Sequence, residues 1–324
     1  MCTAVTYQTR DFYFGRTLDF ERSYGEEVTF TPRNYPLEFR NVGTLERHYA
    51  IIGMARVEKG YPLYFDGMNE KGLAMAGLNF VGYARYQRPE VGWDNIAHFE
   101  LIAWILATCA TVEEARGMLA GMRLTGEAFS RELPPAQLHW MIADTKEAIT
   151  LEAVEEGLRI YPNPVGVLTN NPPFDMQLFQ LNNFLNLSPE HPESGFAPGM
   201  NLSAYSRGMG AMGLPGDLSS QSRFVRAAFV KGNSRSGESE AESVGQFFHI
   251  LGAVNQPLGC CRTETGEYEK TVYTSCCNAS RGIYYYTTYG NRQITAVDMG
   301  REDMDGRQLR RYPLRTTEAF FLQN

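Results

Sequence analysis

The sequence predicts an α+β fold in which antiparallel sheets lie between helical layers. Three observations predict it. Strand-like runs come in blocks, helical runs come in pairs, and strict β–α–β alternation is absent, which argues against a doubly wound parallel sheet. No Pro/Gly/Ser-rich gap reads as a linker, so residues 1–324 are expected to form one domain.

Residues 3–8, 12–18, 27–32, 49–57 and 73–79 are rich in β-branched and aromatic residues and bounded by turn chemistry, the pattern of strands. From Asn95 to Cys109, Phe99, Ile102, Ala103 and Leu106 share one side of a helix. Thr111 to Met122 predicts a second helix, with Thr111 and Glu114 as a T-x-x-E capping box. Strands return at 138–143, 147–153 and 158–161, and the Pro172-Pro173 turn leads into a helix over Asp175–Leu185. Residues 188–220, Pro/Gly/Ser-rich and without periodicity, predict a long loop. Helices at about 220–231 and 239–252 make the second pair, and strands at 271–276, 282–288 and 292–297 close the pattern.

Composition narrows the function classes. The chain has 324 residues, 43% of them hydrophobic, enough for a large core. A net charge of −7 with no Lys/Arg run excludes a nucleic-acid-binding surface. The longest apolar stretch, Leu101 to Ala110, is too short to span a bilayer. The first thirty residues carry Arg10, Asp11, Arg16, Asp19, Glu21 and Arg22 and no apolar core of a secretory signal. A cytoplasmic protein with no membrane partner is expected. The six cysteines include the neighbours Cys260-Cys261 and Cys276-Cys277. Metal sites favour C-x2-C spacing, so no metal or other cofactor is implied. Neighbours in a strand point to opposite faces, so one of Cys276 and Cys277 is expected in the core and the other outside it.

The chemistry starts at Cys2. Removal of Met1 leaves a cysteine with a free α-amino group, a nucleophile with its own base. An α-amine ordinarily titrates at about 7.7–8. It can take the thiol proton, directly or through water, and pass it to a leaving amine, so no histidine is required. Threonine at an N-terminus works in the same way. Cys2 follows Met1 directly, so an ordinary aminopeptidase is expected to expose it without a self-cleaving propeptide.

Other polar residues stand where a simple fold would not need them. A hairpin through Thr9-Arg10-Asp11 returns Gly15-Arg-Thr-Leu-Asp19 towards Cys2. Arg16 is then a candidate to hold a thiolate and Asp19 to orient the α-amine; an ion pair at the surface is the alternative. Asn79 ends the run Asn69 to Asn79, and Asn170 lies in Leu168-Thr-Asn-Asn-Pro-Pro-Phe174. Both are uncharged donors suited to an oxyanion, and both also suit a strand-end turn. Arg223 begins a helix, where a cation opposes the dipole and calls for an anionic partner or a functional task. Arg226 reads as surface.

Taken together, these segments resemble the choloylglycine hydrolase family of N-terminal-nucleophile hydrolases, and within it the bile salt hydrolases. The likeness rests on Met-Cys-Thr at the start, Phe14 to Asp19, Tyr64-Phe-Asp66, Asn69 to Phe80, Leu168 to Asp175, Leu214 to Asp217, Ser222 to Arg226 and Tyr273 to Tyr286. It implies a four-layer αββα sandwich, two antiparallel sheets between helical layers, and hydrolysis of an amide through a thioester. By the resemblance, Cys2 is the nucleophile, Arg16 and Asp19 flank its sulfur and amine, Asn79 and Asn170 serve the oxyanion and the substrate, and Arg223 is the arginine behind the site. Thr17 departs from the Asn of many relatives; between Arg16 and Leu18, it is expected to face away.

The resemblance also implies conjugated bile salts as substrate and a homotetramer. Leu18 and Phe65 beside the motifs suit a flat steroid, and Arg207 in Ser206-Arg-Gly208 suits the sulfonate of a taurine conjugate. Penicillin V acylases share the nucleophile and differ in the acyl pocket; Asn79 resembles the bile salt branch. Other readings are a class II glutamine amidotransferase, which needs a synthase domain not seen here, and a non-catalytic bile-salt-binding relative.

Overall fold

The computed structural model describes residues 1–324. Its frame is two antiparallel sheets packed face to face. The first is built on β1 (Cys2–Gln8) and β2 (Phe12–Phe20), a hairpin with Cys2 opposite Leu18 and Ala4 opposite Arg16. β1 is flanked by the short strand Val167–Leu168, and β2 by Tyr268–Asn278, then Ile283–Thr288 and Asn291–Asp298. The chain crosses to the second sheet at Glu27–Thr31 and adds most of its strands there, up to Gly157–Pro162.

Five helices cover the outer faces: α1 (Leu101–Thr108), α2 (Val112–Ala120), α3 (Phe174–Gln180), α4 (Ser220–Asn233) and α5 (Glu240–Gly252). Alternation along the strands assigns the layers. Ala74, Ala76 and Leu78 pack towards the first sheet, whereas Met75, Trp140 and Ile142 pack with Ile102, Ile105 and Leu106 of α1. Phe224 of α4 and Phe247 of α5 pack onto the outer face of the first sheet, Phe247 against Tyr13 with ring centroids 6.4 Å apart. The order is therefore α–β–β–α, as expected. No helix is long and apolar enough to cross a membrane.

Several expectations change in detail. The helix predicted from Asn95 starts at Leu101, because Asp94–Ala97 pairs in parallel with Met122–Thr125. The Glu100 carboxylate accepts from the backbone N–H of Ala97 and of Arg40 at 3.0 and 2.8 Å, which fixes the turn before α1. The capping box predicted at Thr111 is half made. Thr111 Oγ1 accepts from Glu114 N, but the Glu114 carboxylate reaches Ala110 N instead. A complete box closes α5 through Ser239 and Glu242. α3 is shorter than predicted and ends in a 3-10 turn, Leu181–Phe184. Tyr61–Asn69 is a strand that Pro62 and Gly67 hid from pattern reading. Cys276 and Cys277 are both buried, since their strand has a sheet on one face and helices on the other.

Candidate active site

Cys2 lies near the edge of the first sheet. Met1 O and Thr3 face β2, as the bond from Asp19 N to Met1 O shows, so the N–H and C=O of Cys2 face the other way. On that side the neighbouring strand pairs only with Ala4 and Val5 and stops at Leu168. Two side chains complete the ladder in its place. Cys2 N donates to Asn170 Oδ1 at 2.8 Å, and Arg223 Nη1 donates to Cys2 O. Buried backbone groups demand such partners.

Arg223 is fully buried in the first turn of α4. Its other donors reach Thr3 Oγ1 at 2.6 Å, Asn170 Oδ1 at 2.7 Å and Leu218 O at 3.0 Å. No carboxylate bonds it directly. Neutral oxygens take the place of the anion expected from sequence, and burial pushes Arg223 below its ordinary value despite the attraction of Asp19 and Cys2. Asn170 must present its oxygen here, since both Cys2 N and Arg223 donate. Its Nδ2 then donates to Asn79 O at 2.8 Å.

The pleat separates two faces of β1 and β2. On the inner face stand Cys2, Arg16 and Leu18. Arg16 Nη2 bonds Cys2 Sγ, its Nη1 bonds Gly77 O, and its Nε reaches Thr17 O at 3.2 Å. Burial opposes the Arg16 charge, but Cys2, Tyr273, Asp66 and Asp19 outweigh it and hold Arg16 above its ordinary value. Asp66 accepts from Tyr273 Oη and Tyr284 Oη, each at 2.6 Å; burial raises its pKa against the pull of Arg16. On the outer face Thr17 faces away from the thiol, and its hydroxyl bonds Asp19 Oδ2 at 3.1 Å. Thr271 Oγ1 donates to Asp19 Oδ1 at 2.6 Å. Asp19 bonds the Met1 amine through its backbone oxygen, and Glu269 Oε1 takes the same amine at 3.1 Å.

Gly15 explains the start of its motif. A β-carbon there would collide with the Ser275 carbonyl of the next strand. Glycine allows the close approach that seats Arg16 N on Ser275 Oγ at 3.1 Å.

The thiol opens into a mainly apolar pocket with about 970 Å³ of empty space, mouth included. Leu18, Phe65 and Asn79 line it, together with Tyr24, His98, Phe99, Phe129 and Trp140, which sequence reasoning did not assign to the site. Arg207 is exposed on the 188–220 loop and is not among the lining residues. Thus the structure brings Cys2, Arg16, Asp19, Asn79, Asn170 and Arg223 together and leaves Arg207 apart. Of the supporting groups sequence reasoning missed, Asp66, Tyr273 and Tyr284 lay within matched segments; Glu269 and Thr271 carried no local signal.

A cysteine on the first strand of an αββα sandwich, its thiol on Arg16 and its nitrogen on the Asn170 amide, is an arrangement in keeping with an amidohydrolase. The chain belongs to the choloylglycine hydrolase family of linear amide C–N hydrolases, whose model matches residues 2–312. It is 53% identical over 324 residues to a bile salt hydrolase/transferase of Lactiplantibacillus plantarum, covering 100% of both chains. A bile salt hydrolase/transferase of Clostridium perfringens is 37% identical over 322 residues, 98% of each chain. The crystal structure of the C2A mutant conjugated bile acid hydrolase from Clostridium perfringens superposes with a TM-score of 0.92 at 36% identity, covering 100% of both chains. Penicillin V acylase from Agrobacterium tumefaciens shares the fold, with a TM-score of 0.78 at 21% identity over 97% of this chain and 92% of that one.

Proposed function

We propose that the protein cleaves the amide of taurine- or glycine-conjugated bile acids through a Cys2 thioester. The observation that carries the reading is the buried Cys2 thiol on Arg16 at the end of an apolar pocket suited to a rigid steroid. With Met1 removed, the nitrogen that Asn170 Oδ1 now holds becomes the α-amine, already oriented beside the thiol. Cys2 Sγ attacks the amide carbonyl, and the thiol proton passes to the α-amine. Asn79 Nδ2 donates to the oxyanion. The protonated amine delivers its proton to the departing taurine or glycine, and water hydrolyses the thioester with the amine as base. Arg16, tied to Gly77 O, keeps the sulfur on the pocket side. Asp19 O and Glu269 Oε1, which hold the Met1 amine in the unprocessed chain, border the outer side of the site. The same reading includes one domain, a cytoplasmic location and a homotetramer.

The test is amine release from taurocholate, glycocholate and penicillin V by purified protein, with Met1 removal read by intact mass. Fast release from the cholates supports the reading. Faster release from penicillin V makes the acyl pocket that of an acylase, and no release with Met1 absent refutes both.

A further inference from the structure

Behind Asn170 lies a buried pair of titratable groups with no part in the catalytic steps of Cys2. His139 and Glu152 sit directly opposite each other in the second sheet, both fully buried. His139 Nδ1 is 3.1 Å from Glu152 Oε1, and Nε2 is 3.0 Å from the carbonyl oxygen of Thr169. A carbonyl can only accept, so Nε2 carries hydrogen. The same Glu152 oxygen accepts from Phe174 N at 3.0 Å. A polar pair is costly to bury between sheets unless its bonds are needed.

What the pair holds is the corner that carries Asn170. His139 fixes the carbonyl just before it. Gln177, also fully buried, fixes the other side: its Nε2 donates to Asn170 O and to Pro172 O, and its Oε1 accepts from Thr169 Oγ1 at 2.6 Å. Phe80 lies flat on the His139 ring, 4.5 Å between centroids and 7° between planes. Phe80 comes directly after Asn79, whose carbonyl receives Asn170 Nδ2. One imidazole therefore braces both corners, Asn79-Phe80 and Thr169-Asn170.

We propose that His139 is a positioning residue, which with Gln177 clamps the Thr169–Asn170 backbone so that Asn170 Oδ1 stays aimed at the Cys2 nitrogen. The proposal rests on the reading of the protein as a Cys2 amidohydrolase of conjugated bile acids. Glu152 fixes the ring, and the Nε2 arm carries the effect. Movement of Asn170 would misalign the amine, and Asn79, the pocket residue beside the clamp, is read as serving the oxyanion of the transition state, so the loss falls on kcat and spares KM.

Two substitutions separate the two arms of the ring. In His139→Gln the terminal amide takes the place of Nε2 and still donates to Thr169 O. In His139→Asn the amide takes the place of Nδ1 and reaches only Glu152. Per folded molecule, His139→Asn is expected to lose kcat for taurocholate at least about tenfold with KM within about twofold, and His139→Gln to keep most of it. Equal losses in both variants, no loss in either, or a change confined to KM overturns the proposal. If His139→Asn does not fold, Gln177→Met removes the opposite arm, and an unchanged kcat there overturns it too. Wild-type protein inactive on both conjugates defeats only the functional reading. The clamp is then read by the alkylation rate of Cys2 with iodoacetamide, with the same order of variants expected and equal rates overturning it.

Discussion

Replacing Arg223 by Met tests how the edge of the first sheet is completed. The guanidinium makes four hydrogen bonds, to the buried Cys2 O, Thr3 Oγ1 and Asn170 Oδ1 and to the partly exposed Leu218 O. Methionine fills the volume and makes none of them. Asn170 Oδ1 keeps its bond from Cys2 N, but the Cys2 and Leu218 carbonyls lose theirs. An orphaned buried acceptor costs about 1–3 kcal/mol; the Cys2 carbonyl bears this in full, whereas the partly exposed Leu218 carbonyl can turn to water. Removing a buried charge offsets part of the remaining loss of bonds, and the expectation is about 1–3 kcal/mol. Urea unfolding tracked by tryptophan fluorescence measures it, and amine release from taurocholate measures the consequence at Cys2. Lysine should not rescue, because one ammonium cannot span four acceptors. A loss below about 1 kcal/mol with unchanged kcat would refute the claim that Arg223 completes the strand edge.

Single contacts elsewhere give further expectations. Protein kept with Met1 attached should release amine at least about a hundredfold more slowly than processed protein, and aminopeptidase treatment should restore it; equal rates would remove the α-amine from the mechanism. Gly15→Ala should cost about 3 kcal/mol or more, or fail to fold, because its β-carbon meets the Ser275 carbonyl; a normal melting temperature would refute this. Burial lowers His98 from 6.5 to about 4, with Arg40 adding to the shift and the Thr125 carbonyl opposing it. Below pH 6.5 the unfolded chain takes up a proton that the native state refuses, so stability is full above that value. About 3 kcal/mol should be lost as pH falls to 4. Urea unfolding across this range should show a shallower loss in His98→Gln than in the wild type; parallel losses would exclude His98 as the source.

Much of the fold was legible because its signals are local. The hairpin Cys2 to Phe20 has strand-forming residues on both sides of a polar turn, and α4 and α5 carry clear periodicity. The candidates Cys2, Asn79, Asn170 and Arg223 stood out as polar residues at element ends, and Arg16 as a charge within a strand-forming run. What escaped depends on topology. Glu152 faces His139 across a ladder, Asp66 meets Tyr273 and Tyr284 from the opposite sheet, and no spacing encodes either meeting. Alternation misled at Cys276-Cys277, where both faces of the strand are covered. Periodicity misled at Asn95, which lies in the short strand Asp94–Ala97 and whose side chain bonds the backbone of Glu90 and Trp93.

The two faces of β1 and β2 have an evolutionary consequence. The parts that aim the Cys2 nitrogen are anchored in α4 and the Asn170 corner. The walls that would meet an acyl group come chiefly from the second sheet and its loops, through Phe65, Phe99, Phe129 and Trp140. Substitutions can therefore accumulate in the walls while the anchoring stays fixed. A lineage built on this plan can trade one acyl group for another by changing upholstery and leaving the frame alone.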